Sequence, residues 1–539
     1  MSAVDATRAA LAVTPGFAQA GLDDGTVAAI LEEAEKFAEG TLAPLDRIAD
    51  AQGCRLAEGR VRTPAGYAEA WRRMGADGWL AMDLAEALGG QGLPTLMHAA
   101  VSPLFEGAAM GFMMANGASR AAAHMLAAVA PGIAAEWAPR LARGEWAATI
   151  AISEADAGSD VGRIRTRAVR DGDRWRITGE KTWISFGDHD MAARIGHCLL
   201  ARTGPTEAGT RGLSLFLVPD RAADGARGGV TVSRIEQKTG LHGSPTCTLA
   251  FDDAEGVLLG ELGRGVPALF AMIERMRLQT ACQGLGIAQR AVAIARGYAA
   301  ERRQGGAPDA PPPAIATHPD VRRQLAVMEA ATEVLRAVTL EVARLMDAAG
   351  AGDAPSGARA AILLPLTKTF GGETGFEVAS GAVQVLGGAG YTRDWPVERH
   401  MRDARVITIY EGTTGMQAQD FLFRRLLRDD GAAMGRLLAD ARSEIAACPD
   451  PDAATIAQDI LTRFEALAAD LRRVDDPARL ALAADGFMRA GWTAVTGWMC
   501  CRMIRAGDVL ARRARCRLHT LRPEFERAAA GCRIDPNLV

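Results

Sequence analysis

The feature that most constrains this chain is a switch in hydrophobic period, followed by a switch back. Up to about Gly144 the apolar residues recur at helical spacing. From about Glu145 to Gly263 they alternate in short runs, and from about Val266 helical spacing returns. A period of two buries one face of a strand, and a period near 3.6 buries one stripe of a helix, so no single element type can serve throughout. In the first segment, helices are predicted over 26–41, 67–78 and 97–113. Gly89-Gly90-Gln91-Gly92, followed by Pro94, breaks the pattern. In the second, strands are predicted over 147–152, 174–178, 199–202, 213–218, 230–235 and 247–251, parted by turns such as Asp171-Gly172-Asp173. The third runs to about Leu427. A loop over 305–319 interrupts it, because Pro311-Pro312-Pro313 cannot be helical throughout. A last segment, 431–539, is again helical. The expectation is a multidomain α+β chain with an N-terminal helical domain over 1–144, a middle β domain over 145–263, a C-terminal helical bundle over 264–430 and an additional helical domain over 431–539. For 539 residues three to four domains is the usual count.

Composition excludes several classes. The charge sum is 61 − 65 = −4, with 23% charged and 49% hydrophobic residues, which is neither a disordered nor a collagen-like composition. Lysine occurs only at Lys36, Lys181, Lys238 and Lys368, so 61 − 4 = 57 of the basic residues are Arg. No run reaches the roughly 20 apolar residues that span a bilayer. Residues 1–24 carry Asp5, Asp23 and Asp24 and lack a basic start before an apolar core, so they are not read as a secretory signal. Nine cysteines without a CxxC pair point to reduced thiols in the cytoplasm. The eight histidines show no metal-ligand spacing, so no metal site is expected.

Four strings can carry chemistry. In Ile409-Tyr410-Glu411-Gly412-Thr413, a carboxylate follows an apolar stretch and precedes a glycine. Desolvation makes such a group a usable base near neutral pH, and the glycine lets backbone approach a ligand. The plainer alternative, a Glu favoured at a helix N-terminus, is weighted about two to one on spacing alone. Ser153-Glu154-Ala155-Asp156-Ala157-Gly158-Ser159-Asp160 leaves a strand and can offer backbone N–H groups to a polar ring edge or phosphate, or form a surface turn. In Thr182-Trp183-Ile184-Ser185 the Trp can cover a flat ring or simply fill the core. Gln384-Val385-Leu386-Gly387-Gly388-Ala389-Gly390-Tyr391 follows a predicted helix and is no Rossmann fingerprint, though its glycines admit a dinucleotide. Gly284 and Gly286 read as close helix packing.

Taken together and in this order, the strings resemble the acyl-CoA dehydrogenase family. Ser153–Asp160 resembles its T-E-P-x-A-G-S-D flavin loop, Trp183-Ile184-Ser185 its W-I-[ST] element, and Tyr410-Glu411-Gly412-Thr413 its Y-E-G-T. The resemblance covers about residues 27–428. It is strongest to the long subgroup that includes 3-methylmercaptopropionyl-CoA dehydrogenase, which shares an extra C-terminal helical segment. Leu42-Ala43-Pro44-Leu45, Leu241-His242-Gly243 and His318-Pro319-Asp320 point the same way. The resemblance implies a barrel-like middle domain, a C-terminal four-helix bundle, and FAD held by the two together. Ser153, Gly158, Ser159, Trp183, Ile184 and Ser185 would contact flavin. Arg302 would reach a neighbouring subunit's FAD, and Gln384, Gly387, Gly388 and Thr413 would meet the cofactor's other half. Ser159, Arg277, Tyr410 and Gly412 would contact substrate. Glu411 would remove the α proton of an acyl-CoA thioester, with the thioester oxygen held by its own backbone N–H and a flavin ribityl hydroxyl. Some relatives carry the base directly before the Arg that matches Arg277, but that position is Met276 here, and Glu274 lies three residues before the Arg.

Three departures from the family pattern stand out: Ala155-Asp156 for Pro-x, Arg302-Arg303-Gln304-Gly305-Gly306 without the usual Phe, and Asp83–Leu88 in place of a Pro-containing loop. Implied partners are the acyl-CoA substrate, an electron-transfer flavoprotein as acceptor and a second or fourth copy of the chain, in fatty acid metabolism. Two alternatives remain: an oxidase using oxygen, and a weakly active DNA-binding member whose contact would be Arg502, Arg505, Arg512, Arg513, Arg515 and Arg517. The net charge of −4 argues against the latter.

Overall fold

The computed structural model describes residues 1–19, 21–222 and 225–535. Helix α1 (Ala3–Ala12) opens under a capping box in which Ser2 and Asp5 satisfy each other's backbone N–H groups. Helix α2 (Asp24–Phe37) runs into a π-helical turn over Ala38–Leu42, and α3 (Ala43–Gln52) follows. A hairpin of β1 (Arg55–Ala57) and β2 (Arg60–Arg62) then interrupts a segment expected to be wholly helical. Three-residue strands are too short to show alternation; the signal is the turn, where Glu58 and Gly59 take φ 53° and 69°. Helices α4 (Tyr67–Ala76), α5 (Thr95–Val129) and α6 (Pro131–Ala142) complete this part. The α5 stretch is kinked at Ala109, whose φ −157° and ψ 69° are not helical, and helix continues past the predicted 97–113 to Val129. Beyond Met113 nearly every residue is buried, so no polar stripe marks its period.

The strands are β3 (Trp146–Ala151), β4 (Arg167–Asp171), β5 (Arg174–Ser185), β6 (Arg194–Arg202), β7 (Leu213–Pro219), β8 (Val230–Ile235) and β9 (Thr246–Leu259). The unpredicted strand is β4, which is mostly exposed and shows no apolar alternation. The sheet runs β3-β6-β4-β5-β9-β7, and β7 pairs again with β6, so five strands close a ring with β3 and β8 attached. Closure gives the barrel-like middle domain that was expected, with β3 and β8 each paired on one side. Ile177, Ile184, Phe216 and Phe251 pack together in one strand cluster, and Trp137 and Leu141 of α6 pack on Leu200 and Leu215 in another.

Helical structure resumes with α7 (Gly265–Glu301), α8 (Pro319–Gly350), α9 (Ala354–Leu386), α10 (Val397–Ala404) and α11 (Thr414–Gln419). A π-helical stretch over Asp420–Leu427 leads to α12 (Ala432–Ala446), α13 (Pro451–Leu471), α14 (Pro477–Ile504) and α15 (Asp508–Gly531). The chain forms two compact units. Unit 1 comprises Met1–Lys36, Thr95–Gly107 and the chain from Arg277 onward; unit 2 comprises Phe37–Pro94 and Ala108–Met276.

Within unit 1, glycines set the closest helix contacts. A Cβ on Gly284 of α7 would lie 1.9 Å from the Gly371 carbonyl oxygen of α9, and one on Gly286 would lie 2.6 Å from the Gly107 nitrogen of α5. The last four helices pack onto the others rather than standing apart. Trp492 stacks on Phe370 with ring centroids 4.7 Å apart, and Arg489 grips Glu373 with two bonds of 2.9 Å. Five arginines of the C-terminal stretch are committed to carboxylates: Arg502 to Glu341 and Glu444, Arg505 to Glu444, Arg513 to Glu329 and Glu333, Arg515 to Asp450 and Arg517 to Glu524. Such guanidiniums are not free to neutralise phosphates, which weakens the DNA-binding reading. No helix among the described residues is long and apolar enough to cross a membrane.

Candidate active site

In unit 1 the stretch after α10 ends in a strained turn. Glu411 and Gly412 both lie in left-handed backbone, with φ 56° and 91°. A glycine takes such a φ freely, whereas a glutamate does so at a cost of order 1–2 kcal/mol. The turn is tied from two directions. Gln417 Nε2 donates to the Glu411 carbonyl at 2.8 Å, and Lys368 Nζ, from the middle of α9, donates to the Gly412 carbonyl at 2.7 Å. A Cβ on Gly412 would meet only the end of the Gln417 side chain closely, at 2.7 Å to Nε2, so it is the φ of 91° that calls for glycine there. Thr413 then caps α11, its hydroxyl accepting from Met416 N–H. Glu411 therefore precedes a helix without belonging to one. Among the described residues, no acceptor takes its backbone N–H.

Burial raises the Glu411 carboxyl above its ordinary range, against the opposing pull of Lys368 and Arg277. Arg277, on α7, is buried and bonded to Asp420 at 2.8 Å. Tyr410 donates its hydroxyl to Gln283 of α7, and burial pushes the phenol well above its usual range. A second carboxyl stands behind it. Glu106 on α5 is fully buried, bonded to Gln279, and pushed well above the carboxylate range by that burial. Gln279 also donates to Ser102 at 2.9 Å and meets His98 at 2.8 Å.

Unit 2 carries the other strings. Between Lys181 and Ile184 the β5–β9 register slips by one residue, and the resulting bulge holds Trp183 at φ 64°. The bulge turns the indole out, leaving it 61% exposed, so Trp183 is not a core residue. Its neighbour Ile184 is 2% exposed and packs inside the barrel, leaving only its backbone to face a ligand. The loop over 153–160 is fastened to this bulge: Thr182 N–H donates to the Ser153 carbonyl at 2.9 Å. Lys181, fully buried, donates to the Ile152 carbonyl at 2.9 Å and to Glu154 at 2.8 Å. Glu154 in turn accepts from the backbone N–H groups of Arg165 and Thr166. Gly158 and Ser159 are exposed, and nothing lies within 4 Å of a Cβ on Gly158. Ser153 and Ser185 are half-buried, and the Thr182 hydroxyl is buried without a partner.

Elsewhere in unit 1, Gln384, Gly387 and Gly388 are exposed around the end of α9 and its following turn, with open space where a Cβ of either glycine would stand. Arg302 is exposed and meets Gln304 at 3.4 Å. The structure thus gathers Arg277, Tyr410, Glu411 and Gly412 in unit 1, and Ser153, Trp183 and Ser185 with their loop in unit 2. Sequence reading did not single out Lys368, Gln417, Gln283, Asp420 and Glu106. For Lys368 a signal existed: in a chain that uses Arg at 57 of 61 basic positions, each retained Lys is conspicuous.

Three family models describing the N-terminal, middle and C-terminal domains of acyl-CoA dehydrogenases match residues 26–145, 149–254 and 263–426. The chain is 36% identical to the 3-methylmercaptopropionyl-CoA dehydrogenase of Ruegeria pomeroyi, over 89% of this chain and 85% of that one. The chain belongs to the acyl-CoA dehydrogenase family. It is also 36% identical to the broad-specificity linear acyl-CoA dehydrogenase of Mycobacterium tuberculosis, over 70% of this chain and 66% of the relative. The fold matches that of Caenorhabditis elegans ACDH-11, solved with C11-CoA, at a TM-score of 0.82 and 21% identity, covering 99% of this chain and 92% of that one. Acyl-CoA dehydrogenases are FAD-dependent oxidoreductases acting on CH–CH bonds, and this chain is one of them. The residues fit that cofactor: an exposed, outward-turned indole, a glycine loop open to solvent and an unpartnered buried hydroxyl suit a flat polar ring.

Proposed function

We propose that this acyl-CoA dehydrogenase removes the α proton of an acyl-CoA thioester with Glu411 and releases the trans-2-enoyl-CoA. The single observation that carries the reading is the Glu411–Gly412 turn, a strained carboxylate whose two carbonyls are tied back. Strain of this kind persists where the surroundings over-determine it, and it concentrates at functional sites. With both carbonyls engaged, the Glu411 N–H is left to donate elsewhere, and a thioester oxygen that gains charge as the proton leaves is a fitting acceptor. One preset donor of this type is worth about 3–4 kcal/mol of barrier in comparable oxyanion sites. Burial keeps the Glu411 carboxyl basic enough to take a weakly acidic proton, while Lys368 and Arg277 keep it from being permanently protonated.

FAD would supply the hydride acceptor; in unit 2 Ser153, Gly158, Ser159, Trp183, Ser185 and the Ile184 backbone would hold flavin, and in unit 1 Gln384, Gly387, Gly388 and Thr413 would meet the other half of an FAD. Trp183 offers the ring face, and the Lys181–Glu154 pair fixes the loop that offers N–H groups. Tyr410, Arg277, Ser159 and Gly412 contact substrate. Arg302 reaches the cofactor of a second copy in a homodimer or homotetramer. The four-part division of the chain at 144, 263 and 430 is retained as part of this reading.

The acyl group we favour is 3-methylthiopropanoyl or another short to medium chain, supported by the Ruegeria relative. An electron-transfer flavoprotein takes the electrons, in the cytoplasm and in fatty acid metabolism; nine free cysteines suit a reducing compartment. The test is a panel of acyl-CoA esters with an artificial electron acceptor, on protein whose absorbance shows bound flavin. Turnover of short and medium esters with little peroxide is expected. No turnover of any ester, or stoichiometric peroxide, would refute the reading.

A further inference from the structure

Lys368 lies in the middle of α9 and is fully buried, in a chain that has all but abandoned lysine. We propose that Lys368 is a positioning residue for the base: its ammonium clamps the Gly412 carbonyl, fixing the Glu411–Gly412 turn, and its charge faces the Glu411 carboxylate. The inference rests on the assignment of Glu411 as the base and adds a second residue to it.

Two successive left-handed residues need holding from outside the turn, and each carbonyl has one donor. Gln417 holds the Glu411 carbonyl from α11, only six residues along the chain. Lys368 holds the Gly412 carbonyl from a different helix, at 2.7 Å, and so anchors the turn to α9. A neutral amide suffices for the first bond. A charge at the second is expensive to bury and implies a use beyond the hydrogen bond.

The charged groups around Lys368 show what that use is. From α7, Arg277 approaches, but it is bonded to Asp420 of the following π-helical stretch at 2.8 Å. From the stretch after α10 come the Tyr410 ring, with its centroid 6.0 Å from Nζ, and Glu411 itself. Glu106 of α5 bears on Tyr410. Arg277 shares Asp420 with Arg424 and Arg425, at 3.8 and 3.5 Å, whereas Lys368 donates to a neutral carbonyl beside Glu411. Burial pushes the Lys368 ammonium down to about 7, Arg277 pushes the same way, and Glu411 is the group that pulls it up. Compact and desolvated, an ammonium fits this role, whereas a planar guanidinium would present a fork to a single carbonyl.

Removing the Lys368 charge raises the Glu411 pKa, so the base stays protonated to higher pH and activity lost at neutral pH returns on alkalinisation. The test compares flavin-loaded wild type with Lys368→Met, Lys368→Gln and Lys368→Arg. For each, flavin content, thermal midpoint and the pH profile of single-turnover flavin reduction are recorded. In Lys368→Met and Lys368→Gln the acidic limb should move up by about one pH unit, lowering the rate at a pH on that limb by up to about tenfold. Lys368→Gln, which keeps a donor, should approach the wild-type rate at its alkaline plateau more closely than Lys368→Met. Lys368→Arg should leave the limb near wild type. An unshifted limb in both neutral variants, with flavin bound and the midpoint retained, overturns the proposal. So does failure of all three variants to fold, since the residue would then be structural. Glu411→Gln is run alongside. Full activity there removes the base assignment whatever the Lys368 variants do, while an inactive Glu411→Gln with unshifted Lys368 variants removes only this proposal.

Discussion

Replacing Arg502 by Met tests whether the C-terminal helices are an integral part of unit 1. Arg502 is 1% exposed and makes three charged bonds, two to Glu444 at 2.8 and 2.7 Å and one to Glu341 at 2.7 Å. Removing one partner of a buried ion pair typically costs about 3–5 kcal/mol, because the carboxylates remain without their counter-charge. Glu341 keeps Arg344, and Glu444 keeps Arg505 and the Trp498 indole, so the lower end of that range, about 3 kcal/mol, applies. At about 2 °C per kcal/mol for a unit of this size, the midpoint of flavin-loaded protein in calorimetry should fall by about 6 °C at neutral pH. The pH dependence gives a second handle. Burial alone would raise the Glu444 carboxyl, but the bonds and charge of Arg502, helped by Trp498 and Arg505, hold it below its ordinary range. A depressed carboxylate stabilises the fold above its unfolded pKa and loses that contribution as the pH falls through its folded value. The gap between wild type and variant should therefore narrow as the pH drops below about 4. An unchanged midpoint, or a gap of equal size at both pH values, would refute the reasoning.

Gly284→Ala sets a Cβ 1.9 Å from the Gly371 carbonyl oxygen, forcing α7 and α9 apart, and should destabilise by about 1–3 kcal/mol or more. On the same helix, Gly297→Ala meets nothing within 4 Å and should gain about 0.5–1 kcal/mol in a denaturant titration. Trp183→Ala removes an indole that is 61% exposed. The flavin-free protein should keep its stability to within about 0.5 kcal/mol, while FAD titration should show roughly tenfold weaker binding. A large loss of stability without loss of flavin affinity would return Trp183 to a structural role.

Much of the fold was legible because period is a direct consequence of burial. Apolar alternation at Val230–Ile235 and helical spacing at Asp24–Phe37 each mark one buried face. The signal vanished wherever burial was total or absent. The buried second half of α5 has no polar stripe, and exposed β4 has no apolar one. The candidate site divides in the same way. Tyr410-Glu411-Gly412-Thr413 is contiguous and could be read directly. The bulge at Trp183 is one extra residue in a register and leaves no mark in composition, so sequence could not tell a core indole from an exposed one. Lys368 and Gln283 come from helices remote in sequence and meet the turn only through tertiary packing. The rarity of lysine was the one trace that Lys368 left.

The central claim is that Glu411 takes the α proton, and it is tested most directly by single-turnover reduction of bound flavin, mixed anaerobically with an acyl-CoA that the wild type oxidises. Glu411→Gln keeps the shape of the side chain and removes its basicity. The account predicts flavin content and a thermal midpoint like those of wild type, with bleaching slowed by at least about 100-fold, the lower range for loss of a positioned base. Bleaching at a near-wild-type rate, with flavin bound, would contradict it.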